Sequence, residues 1–455
     1  MILANSADLR DRATLVHQQT DLKAHQEHGS LLMAGGEGVY VFDESGNRYL
    51  EAMAGLWCAS LGFSEKRLAE AAYRQMLKMP YYHTFNQKGH LPSVDLAEKL
   101  LSVAPPPMAR VLFQCSGSEA NDAAIKLVWY YHNAIGKPAK KKIIGRVRGY
   151  HGNTVAAASV SGQPHMYMDF DLPLPGFLHT DNPHYYRFHL DGESEEEFST
   201  RMAANLEALI LAEGPDTVAA FFAEPVQGGG GAITPPRGYF EKVQAVLRRY
   251  QVLLVADEVI CGFGRTGNMW GCETYGIVPD MVSTAKQLSA AYQPISALMI
   301  SAPIYEALLA QSGKLGNFSH GFTYGGHPVA CAVALETLKI YEERDILGHV
   351  RAVSPVMQDG LAALADHPLV GDVRGVGLIA GVELMQDKRT RTPFPAAMKV
   401  GQLVQEKCQE AGLITRGIGD RMAFTPPLVI TAAEIEEMLA RFERGLDAAA
   451  HALGL

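Results

Sequence analysis

Residues 252–260 read VLLVADEVI, five apolar side chains in a row and then a pair of carboxylates. A short apolar run without alternation predicts a strand buried on both faces, the signature of a parallel sheet. It leaves Asp257 at the C-terminal end of that strand, and this is the edge of an open α/β sheet where ligands bind. Working outward, similar runs recur at Arg110–Gln114 (RVLFQ), Lys142–Gly145, Val218–Ala223 (VAAFFA) and Ala297–Ile300. Helical patterns at Glu119–Ala134, Glu196–Glu213 and Gly238–Tyr250 lie between them. Strand and helix alternating over about 250 residues predict a doubly wound α/β domain with a mixed or parallel sheet.

The character changes near residue 330. A helical pattern over Pro328–Glu343 leads to a strand pair in Gly371–Leu384 and a helix over Pro395–Ala411, which together suggest a smaller α+β domain. Near the start, VYVFDESGNRYLEA (Val39–Ala52) reads as a hairpin turning at Ser45-Gly46-Asn47. NPHYYRFHLDGESEEE (182–197) is polar and irregular and is expected to be a surface loop. The expected organisation is an N-terminal segment over 1–60 packing with the small domain, a large domain over 61–328 and a small domain over 329–455.

Composition narrows the function. A chain of 455 residues, 47% of them hydrophobic, can build two to three cores. Forty basic against 49 acidic residues, a net charge of −9, disfavours binding to a nucleic-acid backbone. No apolar run approaches the roughly 18 residues that span a bilayer. The start, MILANSADLRDRATL, gains charges too early for a signal-peptide core. Cys58, Cys115, Cys261, Cys272, Cys331 and Cys408 are scattered without CxxC pairs or His-rich partners. They read as reduced thiols, so a cytoplasmic protein without a metal site is expected.

GFGRTG (262–267) spells a GxGxxG directly after the key strand, but NMWGCETYGIVPD follows it, which does not open an amphipathic helix. A nicotinamide or flavin fold is therefore not expected. Also missing are GxxxxGK[ST], HExxH and GxSxG, the anchors of P-loop, zincin and serine-hydrolase chemistry.

Cys115-Ser116-Gly117-Ser118-Glu119 sits at a strand-to-helix turn, where free backbone N–H groups and the helix dipole favour an anion. The same residues suit a plain N-cap with Glu119 in the first turn. Lys286, in MVSTAKQLSAAYQPISA, is the sole charged residue between Asp280 and Glu306. It is either a lysine snorkelling from a surface turn or an amine whose neutral, nucleophilic form is favoured by an apolar setting. One ligand would use all three features. Pyridoxal 5′-phosphate has a phosphate for the Gly117–Ser118 turn, a ring nitrogen for Asp257 and an aldehyde for Lys286.

The chain resembles the class III aminotransferases of pyridoxal-phosphate fold type I over roughly residues 30–445. GLWCASLGF, SGSEAND, GYHGNT, AEPVQGGGG, VADEVICGFGRTG, STAK, HGFTYGGHPVA, VRGVGL and GDRMAFTPPLVIT carry the resemblance, in that order. It is most similar to the amine–pyruvate, or ω-transaminase, branch. The resemblance implies Lys286 as Schiff-base lysine and proton shuttle, Asp257 as partner of the pyridinium, and Val259 and Tyr150 on opposite faces of the ring. It also implies Gly117 and Ser118 at the phosphate with Thr323 from a second subunit, and Glu224 near the ring. Trp57, Tyr150, Arg416 and the partner's Phe85 would shape the substrate pocket, Arg416 clamping a carboxylate. A homodimer with shared sites follows, and it could pair further into a tetramer.

The departures from the family are Gln287 in place of Gly after the lysine, Ala290-Ala291 in place of Ser-Gly, and Gly325 in place of Ser. KAHQEHGS (Lys23–Ser30) also lacks the aromatic and Pro of the family's entrance segment. The expected activity is transfer of an amino group from a primary amine, diamine or ω-amino acid to pyruvate. The alternatives are a 4-aminobutyrate- or ornithine-like enzyme using 2-oxoglutarate, an aminomutase, and a binding module without catalysis.

Overall fold

The computed structural model describes residues 6–455. Its centre is a seven-stranded sheet in the order Met108–Gln114, Ser296–Ser301, Met281–Thr284, Leu253–Asp257, Val218–Ala223, Lys142–Arg146, Phe177–Thr180. Ser296–Ser301 runs antiparallel to both its neighbours, and the remaining strands share one direction. VAAFFA is buried at every position because each face has its own core. Phe221 packs into one cluster with Leu254 and Phe240, whereas Phe222 packs into the other with Ile143 and Val128. Burying each such ring contributes about 1.5–3 kcal/mol, and a polar residue at either position would break one of the two cores.

The C-terminal part contributes a four-stranded sheet, Val370–Val376, Ile379–Leu384, Arg421–Phe424 and Arg416–Gly417 in that order. The hairpin of Tyr40–Asp43 and Arg48–Glu51 turns where its sequence predicts, with Asp43 Oδ1 accepting the N–H groups of Ser45 and Asn47 at 2.9 Å each. Leu413–Ile414 pairs in parallel with Arg48–Glu51, so the N-terminal hairpin is sewn to the C-terminal part.

Two expectations need correction. The helix expected over Pro395–Ala411 covers Val400–Glu410 alone, after a separate 3-10 turn at Ala396–Met398. Its start is set by docking. Asp420 Oδ1 accepts the Gly401 N–H at 3.1 Å, and a Cβ at Gly401 would lie 1.9 Å from the Gly419 carbonyl. The 182–197 stretch is not a free surface loop either. Asn182 and His184 are buried, Tyr185–Phe188 is helical, and Arg187 Nε donates to Glu383 Oε1 at 2.7 Å. Its polar residues face a buried acid about 200 positions away, a partner that local polarity does not reveal. Among the described residues, no helix is long and apolar enough to cross a membrane.

Candidate active site

The site lies along the C-terminal edge of the sheet, where successive strands deliver one functional segment each. Met108–Gln114 runs into Cys115–Ser118, and Lys142–Arg146 leads to Tyr150-His151. Val218–Ala223 leads to Glu224, Leu253–Asp257 ends on Asp257, and Met281–Thr284 leads to Lys286. Asp257 is in register with Ser283, so the carboxylate and the lysine emerge from adjacent strands.

Ser116 caps the 18-residue helix Gly117–Ala134. Its Oγ accepts the Glu119 N–H at 3.2 Å, while Glu119 Oε2 accepts the N–H groups of Cys115 and Ser116 at 2.7 and 3.1 Å. The N-cap reading is seen directly, and it leaves room for the anion reading beside it. The capping box satisfies the N–H groups of Cys115, Ser116 and Glu119, and among the described residues those of Gly117 and Ser118 have no partner at the positive end of the dipole. A Cβ on Gly117 would stand 3.1 Å from both methyls of Val259, and one on Gly152 would stand 2.6 Å from Ser118 Oγ. Two glycines thus let the helix tip, Val259 and the Tyr150 loop close on one another. Ser118 Oγ also accepts the Asn153 N–H at 3.0 Å.

Asp257 is buried and fixed from three sides. Asn121 Nδ2 donates to Oδ2 at 2.7 Å, His151 Nδ1 donates to the same oxygen at 2.8 Å, and the Val259 N–H donates to Oδ1 at 3.1 Å. None of these partners is permanently cationic. A buried carboxylate in that condition is costly unless a cation joins it, so the pocket suits a ligand bearing a protonated ring nitrogen.

Lys286 opens a 3-10 turn in the left-handed conformation, with φ +43°. The turn closes on Ala290 and Ala291, also left-handed at +49° and +71°. A non-glycine residue held there is strained and persists because its surroundings fix it. Burial lowers the pKa of the Lys286 amine, with Asp257 pulling the other way, so burial favours the neutral nucleophile. The amine has no ion-pair partner among the described residues and lines the cavity.

Gln287 supplies the fixing. Its Nε2 donates to the carbonyls of Ile260 and Gly262, both at 2.8 Å, and its Oε1 accepts from Arg265 Nη2 at 3.3 Å. Arg265, itself buried, donates onward through Nη1 to the carbonyls of Leu378 and Pro426.

Glu224 uses both carboxylate oxygens on backbone, accepting the N–H of Tyr150 at 3.0 Å and of Gly228 at 2.9 Å. Burial raises its pKa, against the pull of His151. It pins the Tyr150 loop to the glycine run behind it, and a Cβ on Gly229 would lie 2.8 Å from that of Tyr150.

A cavity of about 250 Å³ joins these groups, and Gly117, Ser118, Tyr150, Glu224, Asp257, Val259, Lys286, Trp57 and Arg416 all line it. Trp57 serves two ends, packing with Met53 and Ile260 in a small apolar cluster while closing the pocket. Arg416 reaches the cavity from the short strand Arg416–Gly417, half-buried and without an ion-pair partner among the described residues. Thr323 and Phe85 do not reach this cavity within the chain. Both are exposed elsewhere: Phe85 lines a separate depression and faces Gly321, and Tyr81 donates to the Thr323 carbonyl at 2.7 Å.

Asn121, His151, Gln163, His165, Gln19 and Leu56 also line the cavity without having been singled out. Asn121 had a signal, since it lies four residues after Gly117 on the same helix face. Gln19 had none. Gly325, one of the departures, abuts Phe113, whose carbonyl would stand 2.6 Å from an added Cβ.

Comparison with known proteins gives one consistent answer. The model of the family described as aminotransferase class-III matches residues 22–446. Gamma-aminobutyrate transaminase 1, mitochondrial, of Oryza sativa subsp. indica is 54% identical over 419 residues, 92% of this chain and 81% of the relative. Gamma aminobutyrate transaminase 3, chloroplastic, of Solanum lycopersicum is 52% identical over 417 residues, 91% and 80% of the two chains. Among solved structures, the omega transaminase from Pseudomonas jessenii in complex with PMP superposes with a TM-score of 0.97 at 53% identity, covering 99% of each chain.

Proposed function

The chain belongs to the class-III aminotransferases, and on that premise we propose that it moves an amino group from a primary amine, diamine or ω-amino acid to pyruvate. It is an aminotransferase and its cofactor is pyridoxal 5′-phosphate. The observation that carries the reading is one cavity holding a lysine whose pKa burial lowers, a buried carboxylate without a permanent cation and, among the described residues, two N–H groups without partners at a helix tip. When bound, the cofactor supplies an electrophilic aldehyde and a ring that accepts electrons released at the donor carbon.

The chain's own residues do the rest. Gly117 and Ser118 would offer their N–H groups to the phosphate. Asp257, held by Asn121 and His151, would keep a proton on the ring nitrogen. Val259 and Tyr150 would hold the ring, and Glu224 fixes Tyr150 through its backbone. Lys286 Nζ would hold the cofactor's aldehyde and, as a free amine, would move the proton at the donor carbon that bears nitrogen. Arg416 binds the carboxylate of the keto acid or of an ω-amino acid, and Trp57 with Leu56 bounds the space left for the donor. Over a full cycle the donor leaves as an aldehyde or ketone and pyruvate leaves as alanine.

We further propose a cytoplasmic homodimer in which Thr323 and Phe85 complete the partner's site. Both are exposed and neither lines its own chain's cavity, which supports this. Six free thiols and the −9 charge fit that setting. The names of the plant relatives support a 4-aminobutyrate-like donor. The acceptor is tested by converting the enzyme with excess amine, removing the amine, and adding pyruvate or 2-oxoglutarate in parallel. Alanine forming at least tenfold faster than glutamate supports the proposal, and the reverse order moves the enzyme to the 2-oxoglutarate group.

A further inference from the structure

The N-terminal arm contains a second cluster of chemistry-bearing residues that amino transfer does not use. Asp11 lies in the helix Ala7–Thr14, His17 in the loop after it, His25 in the helix Leu22–His28, and Ser30 just beyond. His17 Nε2 is 2.8 Å from Asp11 Oδ1, and His25 Nε2 is 3.0 Å from Asp11 Oδ2. Ser30 Oγ lies 2.6 Å from the same Oδ2 and 3.1 Å from His25 Nε2. The two imidazoles stack with centroids 4.0 Å apart. One ligand atom from each of Asp11, His17 and His25 falls within 4.8 Å of the others.

We propose that Asp11, His17 and His25 form a site for a divalent transition-metal ion of the zinc type, which clamps the N-terminal arm. Two imidazoles and a carboxylate form the donor set of an open three-ligand zinc site, with Ser30 or water left to complete it. Metal–nitrogen bonds of about 2.0–2.1 Å put tetrahedral ligands about 3.3 Å apart. The hydrogen-bonded spacing of 2.8 and 3.0 Å therefore opens by a few tenths of an ångström to admit the ion. Each histidine presents the same nitrogen, Nε2, to the cluster. Metal binding then needs each ring proton to shift from Nε2 to Nδ1, and no backbone refolding. The side chains of Asp11 and His25 are 8% and 3% exposed, so the donors are already gathered and largely out of water.

The clamp has a structural consequence. The loop it closes carries Gln19, held at φ +52°, and Gln19 lines the cavity that contains Lys286. A metal across residues 11, 17 and 25 fixes the segment that reaches the mouth of the active site. The spacing of these residues matches no familiar metal motif, and the expectation of no metal site rested on the scattered cysteines, which take no part in this cluster.

The test uses the full-length holoprotein, stripped with a chelator and freed of it, then titrated with ZnCl2 by calorimetry. Gel-filtered protein is assayed for bound zinc by mass spectrometry. The expected result is one zinc per chain, with binding at least tenfold weaker in His17→Ala and in His25→Ala. His17 lies in a loop with its side chain 26% exposed, so His17→Ala decides the matter even where His25→Ala folds poorly. His17→Ala keeps all six thiols, so zinc held equally well by that variant reports the cysteines and overturns the proposal. Failure of the wild-type protein to bind one equivalent overturns it as well.

Discussion

The side-chain amide of Gln287 donates to the Gly262 carbonyl at 2.8 Å, tying the lysine turn to the loop that follows Asp257. With its second donation to Ile260 and its acceptance from Arg265, the amide has a partner for its oxygen and two for its nitrogen. The residue that departs from the family pattern beside Lys286 is thus a strut holding a strained turn in place. Removing it leaves Arg265 Nη2 and two carbonyls without their buried partner, at a cost of about 1–3 kcal/mol. Gln287→Ala should lower Tm by about 1–3 °C, at about 1 °C per kcal/mol for a 455-residue chain with about 2.1 cal/mol/K of unfolding entropy per residue. Because the turn positions Lys286, kcat should fall more than KM for the donor rises. Calorimetry and steady-state kinetics check both, and an unchanged Tm would remove the strut.

Lys286→Ala should retain cofactor but lose its covalent hold. Borohydride reduction and peptide mapping should find a phosphopyridoxyl group on the peptide containing residue 286 in wild-type protein and none in the variant. Loss of a positioned proton-transfer group costs about 10²–10⁴-fold in rate, and loss of the nucleophile adds to that. Turnover within tenfold of wild type would take Lys286 out of the mechanism.

Much of this site was legible because each segment keeps its chemistry within a few residues of one strand end. VLLVADEVI carries both the buried run and its carboxylate, and Lys286 stands alone in an uncharged stretch. What could not be read are contacts across long separations. His184 and Arg187 look like solvated residues until Glu383 is placed beside them. The partners of Gln287 are set by a loop about 25 positions back in sequence. Helix starts such as Val400 depend on docking against the 417–420 turn rather than on local propensity. The hydrogen bonds of Asn121 and His151 to Asp257 join residues more than 100 positions apart, which periodicity does not encode.

Arg416→Leu should separate the two half-reactions. A charged hydrogen bond to a carboxylate is worth about 1.5–3 kcal/mol, which converts to about 10- to 150-fold at 25 °C. The KM for pyruvate should rise by that factor, while the rate with an amine that lacks a carboxylate changes little, because the aliphatic replacement keeps the pocket dry. Equal effects on both substrates would show that Arg416 shapes the pocket rather than gripping a carboxylate.

Lys286 should also weaken the cofactor-free protein. Its amine titrates lower in the folded chain than in the unfolded one, because burial disfavours the ammonium form. Between the two pKa values the unfolded chain binds more protons, so stability rises with pH across that window. The destabilisation by Lys286 is fully present below the lowered pKa and is gone once pH passes the unfolded value. Lys286→Met keeps the side-chain bulk and removes the charge, so apoprotein carrying it should melt higher than wild-type apoprotein at pH 7. That difference should shrink once the pH passes the lowered pKa and close toward about 10.4, the ordinary lysine value. Melting curves of the two apoproteins at pH 7, 8, 9 and 10 measure it. A gap that stays constant across the series would mean that the lysine is destabilising by its shape and not by its charge.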